Sequence, residues 1–216
     1  MDLRTDLSPL PDRIKALPID PERGFPIPWF VAWHDGKPEF RAMDPFKWRD
    51  AIRKRLCWVC GQKLGAYLCF VLGPMCGVSR TTAEPPVHLE CGRWSAINCP
   101  FLARPQMDRR DHDGLMEVAM NQAGTPILRN PGVVLLWVTH TYEVFKAEGG
   151  VGYLITVGPS IEVEWWACGK PASWRQVNDS VVSGLPLLEA EALKEEGAMR
   201  ALYMEVDRLK ALYPQP

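Results

Sequence analysis

Apolar and polar positions alternate most cleanly in the last third of the chain. Ile161, Val163 and Trp165 alternate with Glu162 and Glu164, the two-residue period of a half-buried strand. Val133–Thr141 and Val151–Val157 are apolar stretches of strand length, with Gly149-Gly150 and Gly158-Pro159 as turns between them. Three strands on short turns predict an antiparallel meander. The period then lengthens. Ser173–Ser183 predicts a short helix, and Leu187 to about Tyr213 a longer one weakened at Gly197. Its Met199, Leu202, Val206, Leu209 and Tyr213 step by 3, 4, 3 and 4, a stripe that either packs on the meander or forms a homodimer seam.

The N-terminal pattern is more broken. Residues 1–24 carry prolines at 9, 11, 18 and 21 and read as an irregular arm. Phe25–Met43 reads as a β-hairpin turning at Asp35-Gly36, with Pro38 suited to an edge strand. Asp44-Pro45 is a helix N-cap followed by proline at the first helical position, predicting a helix from Pro45 to about Arg55. Residues 103–130 are polar and broken, a loop or linker with a short helix at about Leu115–Gln122. The expected organisation is an arm at 1–24, a module at 25–102, a linker at 103–130 and a strand-and-helix half at 131–216.

Composition adds less than charge. At 216 residues, 47% hydrophobic and 24% charged, the chain can bury a core and is neither disordered nor fibrous. Net charge is −1, but residues 41–110 hold 12 Lys/Arg against 5 Asp/Glu, a balance of +7, and residues 111–216 hold 8 against 14, a balance of −6. Such an asymmetry fits an anionic partner, or a basic middle docked on an acidic half. Residues 1–24 contain no apolar core of a secretory signal, and the longest uncharged run, Leu64–Ser79, is broken by Gly73-Pro74. The expectation is a cytoplasmic protein with no membrane span. Seven cysteines cannot all pair within the chain, and in a reducing compartment clustered cysteines are metal ligands more often than disulfides.

Two pairs of metal-ligand type stand out. Cys57-Trp58-Val59-Cys60 is followed by Gly61, and His88-Leu89-Glu90-Cys91 comes 28 residues later. In a Cys-x-x-Cys knuckle the backbone turns until both thiolates point at one ion, and a glycine next to the second cysteine supplies the backbone angles the turn needs. Tyr67–Leu72 reads as a strand, Gly73-Pro74 as a turn, Met75–Arg80 as a returning strand and Val87 to about Asn98 as a helix with His88 and Cys91 in its first turn. The knuckle, hairpin and helix resemble a treble-clef zinc finger over about residues 57–99. That resemblance implies one zinc per chain held by Cys57, Cys60, His88 and Cys91. The alternatives are buried inert cysteines, or an iron–sulfur cluster on Cys57, Cys60, Cys91 and Cys99, since Cys99 precedes Pro100. Pro28-Trp29-Phe30, the knuckle, Gly73-Pro74-Met75-Cys76 and Glu84-Pro85-Pro86-Val87-His88 also make the chain similar to uncharacterised small zinc proteins of bacterial and phage genomes, a likeness that implies no activity.

A four-ligand site leaves no position for a reactive water, so the metal is expected to be structural. The chain contains no phosphate-binding glycine loop, no Gly-x-Ser-x-Gly and no His-Glu-x-x-His. The expected fold is α+β, a zinc-binding treble-clef-like module plus an antiparallel meander with C-terminal helices. The expected function is non-enzymatic binding. Nucleic acid is one partner class, contacted by Lys47, Arg49, Arg53, Lys54, Arg55, Lys63 and Arg93, with Trp48, Trp58 or Trp94 stacking on bases where exposed. A protein-interaction module, either an inhibitor or an assembly subunit, is the alternative, and an enzyme using Cys76 and Glu90 is the third reading.

Overall fold

The computed structural model describes residues 3–104, 131–147 and 152–215. The helix expected at Leu115–Gln122 and nearly all of the linker lie outside the described residues. A short helix α1 (Asp12–Lys15) leads into β1 (Ile19–Asp20), which pairs with β2 (Phe25–Pro26). β3 (Val31–His34) and β4 (Lys37–Met43) form the expected hairpin. Asp35 and Gly36 take φ of 47° and 74°, the positive values that let a two-residue turn follow the twist of its strands. Helix α2 (Pro45–Lys54) starts where expected. The Asp44 carboxylate accepts from the Phe46 and Lys47 N–H groups, and Pro45 occupies a position that needs no donor.

Next come β5 (Leu68–Leu72), α3 (Pro74–Ser79), β6 (Thr81–Thr82), α4 (Leu89–Asn98) and α5 (Pro100–Ala103). The strand expected at Met75–Arg80 is helix α3 instead. Gly73 is extended and Pro74 stands at the start of the helix, where proline's fixed φ favours helix and its missing N–H costs nothing. Met75 and Val78, three apart, are both buried by that winding. α4 begins two residues later than the expected start at Val87, and His88 is its N-cap.

The remaining elements are β7 (Val134–Thr139), β8 (Tyr142–Lys146), β9 (Tyr153–Val157), β10 (Glu162–Ala167), β11 (Lys170–Pro171), α6 (Trp174–Ala192) and α7 (Ala198–Lys210). They are not one meander. β7 lies between β10 and β5 in an antiparallel sheet of order β11-β10-β7-β5, while β9 pairs with β8 and β6 in a second sheet. The helix break also moves. α6 runs through Pro186 to Ala192, and the chain turns at Gly197, whose φ is 80°. Ser173 and Gln176 close a capping box at the start of α6.

β7, inside the four-stranded sheet, is buried on both faces, which is why it reads as an unbroken apolar run, Val134 to Val138. Leu135 faces α3, where Gly77 has room for no side chain: a Cβ there would meet the Leu135 methyl at 2.8 Å. Leu136 faces α4, packed at Gly92 beside Cys69 and Val87. α6 and α7 close over α3, with Val177, Val181, Val206 and Leu209 buried. Val206, Leu209 and Tyr213, expected either in a core or in a dimer seam, therefore pack into their own chain. Among the described residues, no helix is long and apolar enough to cross a membrane.

Candidate metal centre

Cys57 and Cys60 lie on a knuckle between α2 and β5. The knuckle is closed by a Leu56–Lys63 bridge and by the Gly61 N–H donating to the Cys57 carbonyl at 2.8 Å. Gly61 has φ of 72°, and a Cβ there would lie 2.6 Å from the Trp29 ring, so both the turn and the indole above it require glycine. Hairpin residues hold the knuckle from outside. The Trp29 N–H donates to the Val59 carbonyl at 2.7 Å, and Trp58 stacks on Phe30 with ring centroids 5.2 Å apart. The second ligand pair arrives from the far side of the sheet edge. Val87 pairs with Cys69 of β5 through both backbone bonds, which sets His88 at the N-cap of α4 and Cys91 in its first turn.

The Sγ atoms of Cys57, Cys60 and Cys91 and a ring nitrogen of His88 all lie within 4.8 Å of one another. His88 Nδ1 is 3.4 Å from Cys60 Sγ and 3.9 Å from Cys91 Sγ. At bond lengths of about 2.3 Å to sulfur and about 2.0 Å to nitrogen, tetrahedral ligands of zinc stand roughly 3.5–3.8 Å apart. Cys57 Sγ also accepts from the N–H groups of Cys60 and His88, each at 3.4 Å. His88 Nε2 points the other way, 3.0 Å from the Lys63 carbonyl. A carbonyl only accepts, so Nε2 carries the proton and Nδ1 offers its lone pair to the sulfur cluster. All seven cysteines are free thiols, and Cys57 and Cys91 are fully buried. This donor set fits a metal ion such as zinc.

Charge in the cluster follows from its crowding. With protons alone to share, contact with Cys57 and then Cys91 holds the Cys60 thiol far below its ordinary value, and Cys91 beside Cys57 and Cys60 is pushed up. Hydrogen bonding to Cys57 and Cys60 raises His88 to about 10. A divalent cation replaces these protons and neutralises three sulfurs at once.

Cys99 is not brought to the centre. It ends α4, eight residues beyond Cys91, or about 12 Å of helical rise away. Burial pushes it up, as it does Cys76, which reaches about 11. Cys76 is thus the opposite of an activated thiol. Glu90 is occupied by Arg13, at 2.6 Å. Neither residue proposed for catalysis stands in a catalytic arrangement.

The basic residues divide into two groups. Lys47 donates to the Val31 carbonyl at 2.9 Å, and Arg93 grips Glu164 of β10, with Nε–Oε1 at 2.8 Å. Arg80 lies 3.8 Å from Glu205. Arg93 and Arg80 thus tie the basic middle to the acidic half, while Lys47 holds the N-terminal hairpin. Arg49 lies over the Phe46 ring at 4.9 Å. Arg53, Lys54, Arg55 and Lys63 are exposed at the end of α2 and on the knuckle, with Asp50 as the carboxylate that Arg53 and Lys54 share. The tryptophans expected to stack on bases are occupied: Trp58 and Trp94 are buried, and Trp48 donates to the Ala83 carbonyl while stacking on Tyr153. In their place, Tyr67 is 63% exposed and its ring meets His140 at 4.9 Å. That pair is 73 residues apart in sequence, so no local spacing announces it. No protein-family model matches the chain, and no curated protein or solved structure matches it.

Proposed function

We propose that this chain is a zinc-stabilised, non-enzymatic binding protein, treble-clef-like over about residues 57–99 in its knuckle and helix but with α3 in place of the second hairpin strand, and that its ligand is nucleic acid. The closed Cys57, Cys60, His88 and Cys91 set supports a structural ion, because it leaves no ligand position for substrate. One observation carries the choice of ligand. Four exposed cations, Arg53, Lys54, Arg55 and Lys63, with Asp50 as the one carboxylate among the described residues paired to any of them, gather at the end of α2 and on the knuckle that carries Cys57 and Cys60. Four cations against Asp50 leave a local charge of +3.

Zinc per chain and oligonucleotide affinity together test this reading. One zinc per chain is expected. Binding through three to four phosphates is expected to weaken roughly 20- to 150-fold between about 50 and 200 mM salt. No binding at the lower salt, or an affinity indifferent to salt, overturns the proposal.

A protein-interaction role is the second reading. It draws on Val182, Leu187 and Leu193, exposed along and just past α6. Association of the chain with itself or with a protein partner, blocked by Leu193→Glu and untouched by changes at Arg53–Arg55, would favour it.

A further inference from the structure

We infer that the five-residue strap Lys63–Tyr67 is a base-stacking platform that selects single-stranded over duplex nucleic acid, an inference that rests on the nucleic-acid reading above. The strap is pinned residue by residue. The Lys63 carbonyl faces His88 Nε2 at 3.0 Å, and the Leu64 N–H donates to the Arg55 carbonyl at 2.8 Å. The Arg55 guanidinium donates to the Gly65 carbonyl at 3.3 Å, and His140 Nδ1 donates to the Ala66 carbonyl at 3.1 Å. Leu64 is buried as the anchor, while Lys63, Gly65, Ala66 and Tyr67 face solvent.

The strap ends on the Tyr67 ring. His140 supports one side of it, at a centroid distance of 4.9 Å and a 42° tilt, and 63% of the residue stays open to solvent. A supported exposed ring at the end of a strap that carries Lys63 and is met by Arg55 answers a particular chemistry. The ring offers a π-face to an unpaired base, and Arg55 and Lys63 meet the phosphates that flank it. A duplex keeps its bases stacked on each other and gives this ring nothing to cover. Because His88 holds the first carbonyl of the strap and His140 the fourth, the platform is preformed, and little ordering entropy is lost on binding.

Fluorescence anisotropy with a labelled oligothymidylate of about 12 nucleotides, and with a duplex of the same length, tests this. The whole zinc-loaded chain is used at low salt. The single strand is expected to bind about tenfold more tightly than the duplex. Tyr67→Ala is expected to lose about tenfold for the single strand and nothing for the duplex, and Tyr67→Phe to restore parental affinity. Metal content equal to the parent's confirms that the exposed substitution leaves the fold intact. Single-strand binding unchanged in Tyr67→Ala, or a preference for duplex, overturns the platform while leaving nucleic-acid binding standing. Binding of neither oligonucleotide overturns both.

Discussion

His88 Nε2 donates to the Lys63 carbonyl at 3.0 Å, and this one bond decides which ring nitrogen faces the three sulfurs. The alternative tautomer would set two lone pairs against each other and turn an N–H toward the thiolates. The backbone that presents the knuckle thus also orients the one nitrogen donor of the cluster. His88→Cys keeps a metal-binding donor but removes this bond. It is expected to retain one zinc per chain and to release it faster to a chelator, measured as the rate of colour change with a zinc-binding dye.

Removing a buried thiolate has a larger consequence. Cys57 accepts two backbone N–H groups in addition to its place in the cluster, and Cys91 is fully buried on α4. Structural zinc contributes about 10–16 kcal/mol in small modules, comparable with the whole stability of an ordinary domain at about 5–15 kcal/mol. Cys91→Ser is therefore expected to lose the metal and to lose cooperative unfolding of the module. Metal analysis and a thermal melt check this, and a variant that melts like the parent contradicts a structural ion. Acid should act in the same direction, since protons compete for all four donors.

Gly61→Ala tests the knuckle without touching a ligand. Its φ of 72° is strained for alanine, and the new methyl would approach the Trp29 ring to 2.6 Å. A loss of about 1–3 kcal/mol is expected in denaturant unfolding, with metal content unchanged.

The clustering of Cys57, Cys60, His88 and Cys91 was legible in the sequence because each pair is local. Cys57 and Cys60, and His88 and Cys91, are three residues apart, and short spacing suffices to bring their side chains together. What depended on distant partners was not legible. β8 carries exposed Glu143, Val144, Phe145 and Lys146 and has no apolar alternation to mark it, so β7 and β9 looked adjacent. Only the long-range pairing of β7 with β5 separates the two sheets. Gly73-Pro74 fits both a hairpin turn and a helix start, and the buried faces of Met75 and Val78 decide for the helix. The helix expected to end at Ser183 instead runs on through Pro186, since α6 docks through Val177, Val181 and Gly184, with Gly184 tight against Met75.

The Arg93–Glu164 pair separates a structural cation from a nucleic-acid contact. Burial pushes the Glu164 carboxyl up, but the Arg93 guanidinium and the Trp166 indole bring it below its ordinary value. A carboxyl lowered in the folded state adds stability above its unfolded pKa, near 4.3, and loses it as pH falls through the lower folded value. Arg93→Met is expected to cost about 1 kcal/mol at neutral pH and progressively less below pH of about 4. It should leave oligonucleotide affinity unchanged. Affinity lost with Arg93 at constant stability would place the binding face on α4 instead of the knuckle.

Tyr213 gives a prediction of opposite sign. Its hydroxyl is buried without a hydrogen-bond partner among the described residues, and burial raises its pKa to about 12. The ring itself packs edge-on against Trp165 at 5.8 Å and Trp174 at 6.4 Å. Phenylalanine keeps those ring contacts and removes the unsatisfied group, whose desolvation costs about 1–3 kcal/mol. Tyr213→Phe is thus expected to match or exceed the parent in denaturant unfolding, by up to about 1 kcal/mol. A clear loss would mean that the hydroxyl has a partner in solution, and the Trp165 indole, already donating to the Leu212 carbonyl at 2.9 Å, marks the neighbourhood in which that partner would lie.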